Sequence, residues 1–338
     1  SGAVLVPGKG EESLLVQKLR GSVGEQMPAG GRPALSEESI KLISTWIDEG
    51  ATLDGASENQ PLRVMSQLAW AASATPEQLS ERRQQIADKN MKLVVASGGD
   101  IESKTTEHFF VVGSAAPATI ELVAKLAEAQ MKTVKTVVSG DGGEGFFHGR
   151  ATIFVMPKRY EYSEFAKMVE GRSLPSDWSS HWKFDGIDSY VSLVATDRDD
   201  DDAIEGRLTA PLVSLAVATR GGDVPRWFAE GAGAVTANRQ GNSRDRDARR
   251  QTEQEMSEAL AAMGNAKQFL DGKLTPEQTD RLGAAILSSM LDRGQRRSFD
   301  GLLRNLDAGK SFDQAFAESF RATPTQFVET WIRWARGG

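Results

Sequence analysis

From residue 91 onward, short runs of β-branched and aromatic residues alternate with longer stretches whose apolar side chains recur every three to four positions. That change of period is the mark of strands and helices taking turns. Strands are predicted at 91–97, 107–112, 151–156 and 190–195, and helices at 116–137, 160–170 and 203–219. From Pro225 the strand pattern stops. Helices are predicted at 225–238, 247–263, 276–291, 298–306, 311–320 and 324–335, punctuated by Pro276, Gly294, Gly309 and Pro324. Ahead of the alternation lie helices at 11–20, 36–49, 62–73 and 76–90. Ser36 is the expected N-cap of the second, with Glu37 and Glu38 in its first turn, Ile40, Ile43 and Ile47 on one face, and Gly50 as its stop. Thr75-Pro76-Glu77 starts the fourth. A sheet laid down first and a helical bundle after it predict an α+β fold, one mixed sheet packed by helices. The predicted organisation is a small helical segment at 1–54, a linker with helices at 55–90, an α+β subdomain at 91–223 and a helical subdomain at 224–338.

At 338 residues the chain exceeds what one core comfortably serves, so two or more domains are expected. A net charge of -7 argues against general nucleic-acid binding. The cluster Arg244, Arg246, Arg249 and Arg250 is interleaved with Asp245 and Asp247, and reads as a solvated loop or helix start. No apolar run approaches the ~20 residues of a membrane helix. No signal peptide opens the chain, and Ser1 in place of an initiator Met leads us to expect a start inside a longer precursor. Cysteine is absent, which removes disulfides, thiolate metal sites and covalent haem attachment within these residues.

Candidate chemistry is sparse. His108, His148 and His181 fall on different predicted elements, His108 in a strand and His181 in a loop, and no joint metal site is expected. Asp197 and Asp199–Asp202 lack the glycine of a calcium loop and read as an acidic cap on the helix at 203. Residues 139–145 are glycine-rich without the Lys-Ser/Thr of a phosphate loop, and read as a surface loop. Trp178, Trp182, Phe184 and Tyr190 suit either core packing or the lining of a groove.

Two stretches resemble known families. The pieces Val6-Pro7-Gly8-Lys9, Glu12-Ser13-Leu14-Leu15, Met27-Pro28-Ala29-Gly30-Gly31, Leu35-Ser36-Glu37-Glu38 and Trp46-Ile47-Asp48-Glu49-Gly50-Ala51 resemble the C-terminal half of planctomycete-type cytochrome c domains. The resemblance implies that Met27 is an axial haem ligand. The family's Cys-x-x-Cys-His would belong before Ser1, so haem c is implied only if it stands there. An extracytoplasmic location, periplasmic or secreted, is implied with it.

Thr106–Gly113, Ile153-Phe154-Val155, Tyr162-Ser163-Glu164-Phe165, Pro225-Arg226-Trp227-Phe228-Ala229-Glu230-Gly231 and the tail at 309–316 and 327–331 resemble gluzincin metallopeptidases of the peptidase MA-like group. In that family the helix before the Pro-Arg-Trp motif carries His-Glu-x-x-His, whose place here is near Ala210–Ser214. No histidine stands there, and Pro211, worth ~3 kcal/mol against a helix interior, predicts that the helix starts or kinks at that point. Glu230 is then the vestigial zinc-ligand position, held by a hydrogen bond or ion pair. No catalytic residue and no zinc are expected, since catalytic zinc needs three protein ligands. The implied function is a non-catalytic pseudo-metallopeptidase that binds or scaffolds an unknown protein or peptide, with Trp178, Trp182, Trp227 and Glu230 as a possible binding cleft. The alternatives are an electron-transfer c-type cytochrome and a hydrolase using non-zinc chemistry in the retained cleft.

Overall fold

A computed structural model describes residues 3–53, 60–95, 99–138, 145–221, 223–240 and 246–337, except for the side chains of 246–253. Most of the expected linker at 55–61, most of the glycine-rich stretch at 139–145 and the side chains of Arg244, Arg246, Arg249 and Arg250 lie outside the described residues. The chain forms two compact units, residues 1–69 and 70–338.

In the first unit, α1 (Leu14–Leu19) and α2 (Glu37–Asp48) enclose Val16, Leu19, Ile40 and Ile47. The Ser36 hydroxyl caps α2 by accepting the Ser39 N–H at 3.2 Å. The helix predicted at 11–20 is shorter than expected, because residues 11–13 form turns and Ser13 takes the N-cap position. α3 (Leu62–Ser73) follows, with no buried residue.

The second unit takes in the last turn of α3 and then α4 (Pro76–Val94), begun by a capping box in which Thr75 and Gln78 satisfy each other's backbone N–H groups. Of the strand expected at 91–97, the described residues 91–95 form no strand. The buried positions Ala87 and Met91 keep helical spacing, and α4 carries on through them to Val94. β1 (Glu102–Thr105) and β2 (Phe109–Gly113) form a hairpin, then come α5 (Pro117–Val137), β3 (Ala151–Met156), α6 (Arg159–Phe165) and a π-helical turn at Ala166–Glu170. β4 (Ser180–Phe184) and β5 (Ser189–Val194) form a second hairpin. The rest is helical: α7 (Asp201–Ala218), α8 (Arg226–Gln240), α9 (Arg246–Ala262), α10 (Ala266–Leu270), α11 (Pro276–Met290), α12 (Arg296–Asp307), α13 (Phe312–Phe320) and α14 (Pro324–Ala335).

The fold is mixed α/β. The sheet runs β1-β2-β3-β5-β4, parallel through β2, β3 and β5 and antiparallel at both edges. Its central strands are buried on both faces, as parallel strands are when helices cover each side. Phe109, Val111, Ile153, Val155, Val191 and Leu193 join the larger core, which continues through α5 and α7 to Ile332 in α14. Phe110, Val112, Phe154, Met156 and Tyr190 face the other way, onto Met91, Tyr162 and Phe165. Arg83 of α4 fastens that layer. Buried to 2% exposure, it donates to the carbonyls of Ile187 at 2.7 Å, Phe147 at 2.8 Å and Arg150 at 3.0 Å. The 76–94 stretch is thereby part of the second unit's core.

α7 departs from expectation at Pro211. The helix neither starts nor breaks there; it begins ten residues earlier, where the Asp200 carboxylate accepts the Ala203 N–H at 2.8 Å. Burial of Ile204, Leu208, Leu212, Leu215 and Val217 around the proline outweighs the single backbone hydrogen bond it forfeits. β1 and β4 escape the periodicity for a shared reason: each is short and at an edge, and its polar residues interrupt the apolar run.

Candidate functional site

α8 is held between α7 and α11 by two glycines that allow backbones to meet. A Cβ on Gly233 would lie 2.3 Å from the Ala210 carbonyl oxygen and 2.2 Å from the Ser214 hydroxyl. One on Gly231 would lie 2.7 Å from the Gly283 carbonyl oxygen. These close approaches bring Glu230, the residue before Gly231, to the mouth of a cleft it shares with Asp280, three residues before Gly283.

The cleft has two lobes, of about 280 Å³ and about 540 Å³, and Trp178, Arg226, Glu230 and Asp280 line both. The smaller is completed by β4 and α7 through Trp182, Ala210, Pro211 and Ser214. The larger is completed by Arg172, Trp227, Phe269 and Leu274 among others. Trp178, Trp182, Trp227 and Glu230, separated by up to 52 positions in the chain, thus stand around one opening. Phe184 packs against the larger core and Tyr190 lies in the smaller one.

Glu230 is held by an ion pair within its own helix. Arg226 Nε donates to Glu230 Oε1 at 2.7 Å, and a terminal guanidinium nitrogen reaches the same oxygen at 2.6 Å. The Arg226 guanidinium also lies over the Trp182 ring, 5.3 Å from its centroid. Asp280 faces Glu230 from α11. Burial and then the Glu230 charge push its carboxyl up to about 7, with Arg226 opposing. The Trp182 indole N–H, on a side chain 9% exposed, has no acceptor.

Behind β4 a second polar cluster is fully paired. His181, expected in a loop, is a buried β4 residue whose Nδ1 lies 2.6 Å from the Tyr162 hydroxyl and whose Nε2 lies 2.5 Å from Glu170 Oε1. Tyr190 donates to the same Glu170 oxygen at 2.7 Å, and Arg172 Nε to the other at 2.5 Å. Burial raises the Glu170 pKa, but these hydrogen bonds and the His181 charge outweigh it and hold the carboxyl down to about 2. Burial pushes His181 below its ordinary 6.5, against the pull of Glu170. Both imidazole nitrogens are committed to this cluster.

The other histidines lie elsewhere: His108 Nδ1 is 2.8 Å from Glu128, and His148 Nε2 is 3.0 Å from the Thr219 carbonyl. The acidic run is a cap, with Asp200 at the N-cap and Asp199 paired to Arg207 at 2.8 Å.

The donors beside Glu230 do not fit a catalytic zinc. Ala210, Pro211 and Ser214 occupy the α7 turn that lines the cleft, and of the other ionisable groups Glu230 is paired with Arg226, Asp280 faces it from α11, and His181 has both ring nitrogens taken by Tyr162 and Glu170. Among the described residues no group of three or more His, Asp or Glu stands together in a way that could hold a metal ion. Haem fits no better within these residues. Met27 is on a loop and 37% exposed, but residues 1–69 contain neither histidine nor cysteine, so neither a proximal imidazole nor covalent attachment is at hand there. Among the described residues no helix is long and apolar enough to cross a membrane.

Asp280 and Arg226 were not singled out by sequence reasoning. Asp280 sits in the acidic first turns of α11, where such residues ordinarily serve the helix dipole. The available signal was Gly283, a residue that helices disfavour in their interiors, retained where α8 passes. No protein-family model matches the chain, and no curated protein matches it.

Proposed function

We propose that the second unit is a non-catalytic, gluzincin-like binding module whose cleft takes a protein or peptide partner. The observation that carries this reading is the α7 turn at the cleft floor. Ala210, Pro211 and Ser214 stand beside Glu230 where the resemblance calls for two imidazoles and a general base, while the cleft itself stays open and lined with aromatic side chains. Three tryptophans around a concave opening suit recognition, because aromatic anchors supply much of the binding energy at interfaces. Zinc analysis and a peptide-library assay test it together. The expected result is substoichiometric zinc, no turnover and a set of retained peptides whose binding Ala234→Trp, at a half-buried wall position, abolishes by filling the smaller lobe while circular dichroism shows the fold unchanged. Stoichiometric zinc lost on Glu230→Ala, or cleavage of library peptides, would overturn it.

A second reading concerns the first unit, which we propose is a cytochrome c-like segment. The exposed Met27 on a Gly/Pro loop favours it, since a thioether presented to solvent is open to an iron partner. It carries with it an electron-transfer role and an extracytoplasmic location. Reading the gene upstream of Ser1 tests both: a Cys-x-x-Cys-His and an export signal are expected, and a gene encoding no Cys-x-x-Cys-His there removes this reading.

A further inference from the structure

The cleft's two lobes meet at a pair of facing carboxylates on different helices, Glu230 of α8 and Asp280 of α11. Among the described residues one cation, Arg226, is built in beside them. Arg226 spends two nitrogens on Glu230 Oε1 and lays its guanidinium on Trp182, while Arg172 is committed to Glu170 on the far side of the opening. Like charges brought together in a partly dehydrated site repel, and an added positive charge relieves them. Beside a few serines, the walls around the carboxylates carry apolar and aromatic side chains: Ala210, Pro211 and Ala234 in one lobe, Trp227 and Leu274 in the other, and Trp178 in both. Such walls suit an alkyl stem that ends in a cation.

An independent feature points the same way. The Trp182 indole N–H is buried on the wall of the smaller lobe without an acceptor. A buried donor left unpaired is costly and is found where a partner group is to arrive. Its complement is a carbonyl oxygen close to the cation.

We propose that the cleft recognises a lysine or arginine side chain of a partner protein, with its cation set between Glu230 and Asp280 and a neighbouring main-chain carbonyl directed at Trp182 Nε1. This deepens the binding-module reading and rests on it. A free amine satisfies only the carboxylates, whereas a peptide residue satisfies both the carboxylates and the indole. Arg226 stays in place and sets selectivity, since an acidic side chain entering the same lobes meets two carboxylates for one guanidinium.

The test uses the full chain and blocked pentapeptides of alanine carrying arginine, lysine, norleucine or glutamate at the centre, with spermidine as a free polyamine, in calorimetric titrations. The arginine and lysine peptides are expected to bind at least about tenfold more tightly than the norleucine peptide, and the glutamate peptide not at all. Asp280→Asn and Glu230→Gln are each expected to remove most of that preference, and circular dichroism of both variants verifies their fold. Spermidine matching the basic peptides would replace a protein partner with a small amine and overturn the proposal. Equal binding of the arginine and norleucine peptides overturns it while leaving the binding-module reading intact. If the basic peptides fail to bind, the proposal is overturned; library peptides held by the chain and released by a folded Ala234→Trp variant would then preserve the broader reading, and their absence would end it as well.

Discussion

Glu170, with a buried carboxyl, and Asp280, with a half-buried one, belong to one unit and are pushed in opposite directions. Burial raises the pKa of each. Glu170 overcomes it because three donors converge on its two oxygens, from His181, Tyr190 and Arg172. Asp280 does not, because its nearest neighbour is a second carboxylate whose one good cation is already engaged. The first cluster gathers three donors on one carboxylate, whereas the second sets two carboxyls against one guanidinium and, on our proposal, takes a further cation from a partner. A polar group in the interior is structural when its hydrogen bonds close on themselves, and available for binding when they do not.

The contrast breaks most sharply at Glu170. Glu170→Ala leaves His181, Tyr190 and Arg172 without their shared acceptor, and a loss of about 3–5 kcal/mol in urea-unfolding free energy is expected. A loss under 1 kcal/mol would mean that the cluster is not closed. Gly231→Ala attacks the cleft instead. Its Cβ would collide with the Gly283 carbonyl, so α8 and α11 must part, at about 1–3 kcal/mol by thermal unfolding. As Glu230 and Asp280 separate, the Asp280 carboxyl should return toward its ordinary 3.8, which carboxyl-carbon NMR titration reads directly.

Asp280→Asn sharpens the comparison with the opposite sign. Between pH 3.8 and about 7 the unfolded chain ionises Asp280 while the folded one does not, so wild-type stability falls as pH rises across that window. The asparagine variant should match wild type near pH 3.5 and exceed it by about 1 kcal/mol above pH 7, discounted for the solvent that reaches an open cleft. An equal gain at both pH values would assign the effect to packing. The smallest effect is expected on the acid limb. Glu170 contributes stability that is fully present above about 4.5 and lost as pH falls toward about 2, and neutral His181 adds a loss that begins below 6.5. Glu170→Gln should flatten the segment below pH 4.5 in a pH series of melting temperatures.

The cleft was legible from the side of α8 and hidden from the side of α11. The Pro-Arg-Trp-Phe-Ala-Glu-Gly string marks a helix start and an acid at its fifth residue, and Trp178, Trp182 and Trp227 are conspicuous in any reading of aromatic content. Their convergence with Asp280 depends on backbone contacts between helices some 50 positions apart in the chain, which no local period encodes. Thr75-Pro76-Glu77 made α4 readable at its start and Pro276 did the same for α11, while the end of α4 was hidden because Met91-Lys92-Leu93-Val94-Val95 has strand composition and helix packing at once. Pro211 misled for a related reason: its penalty is local, and the burial that offsets it comes from the sheet and α8.

The backbone contact of Gly231 with Gly283 also decides where mutational tolerance lies. Glu230 and Asp280 could each be exchanged for another polar residue and leave the helices where they are, whereas any side chain at either glycine enters space already filled by main-chain atoms. Sequence drift in this protein should therefore be able to retune what the cleft prefers long before it can move its walls.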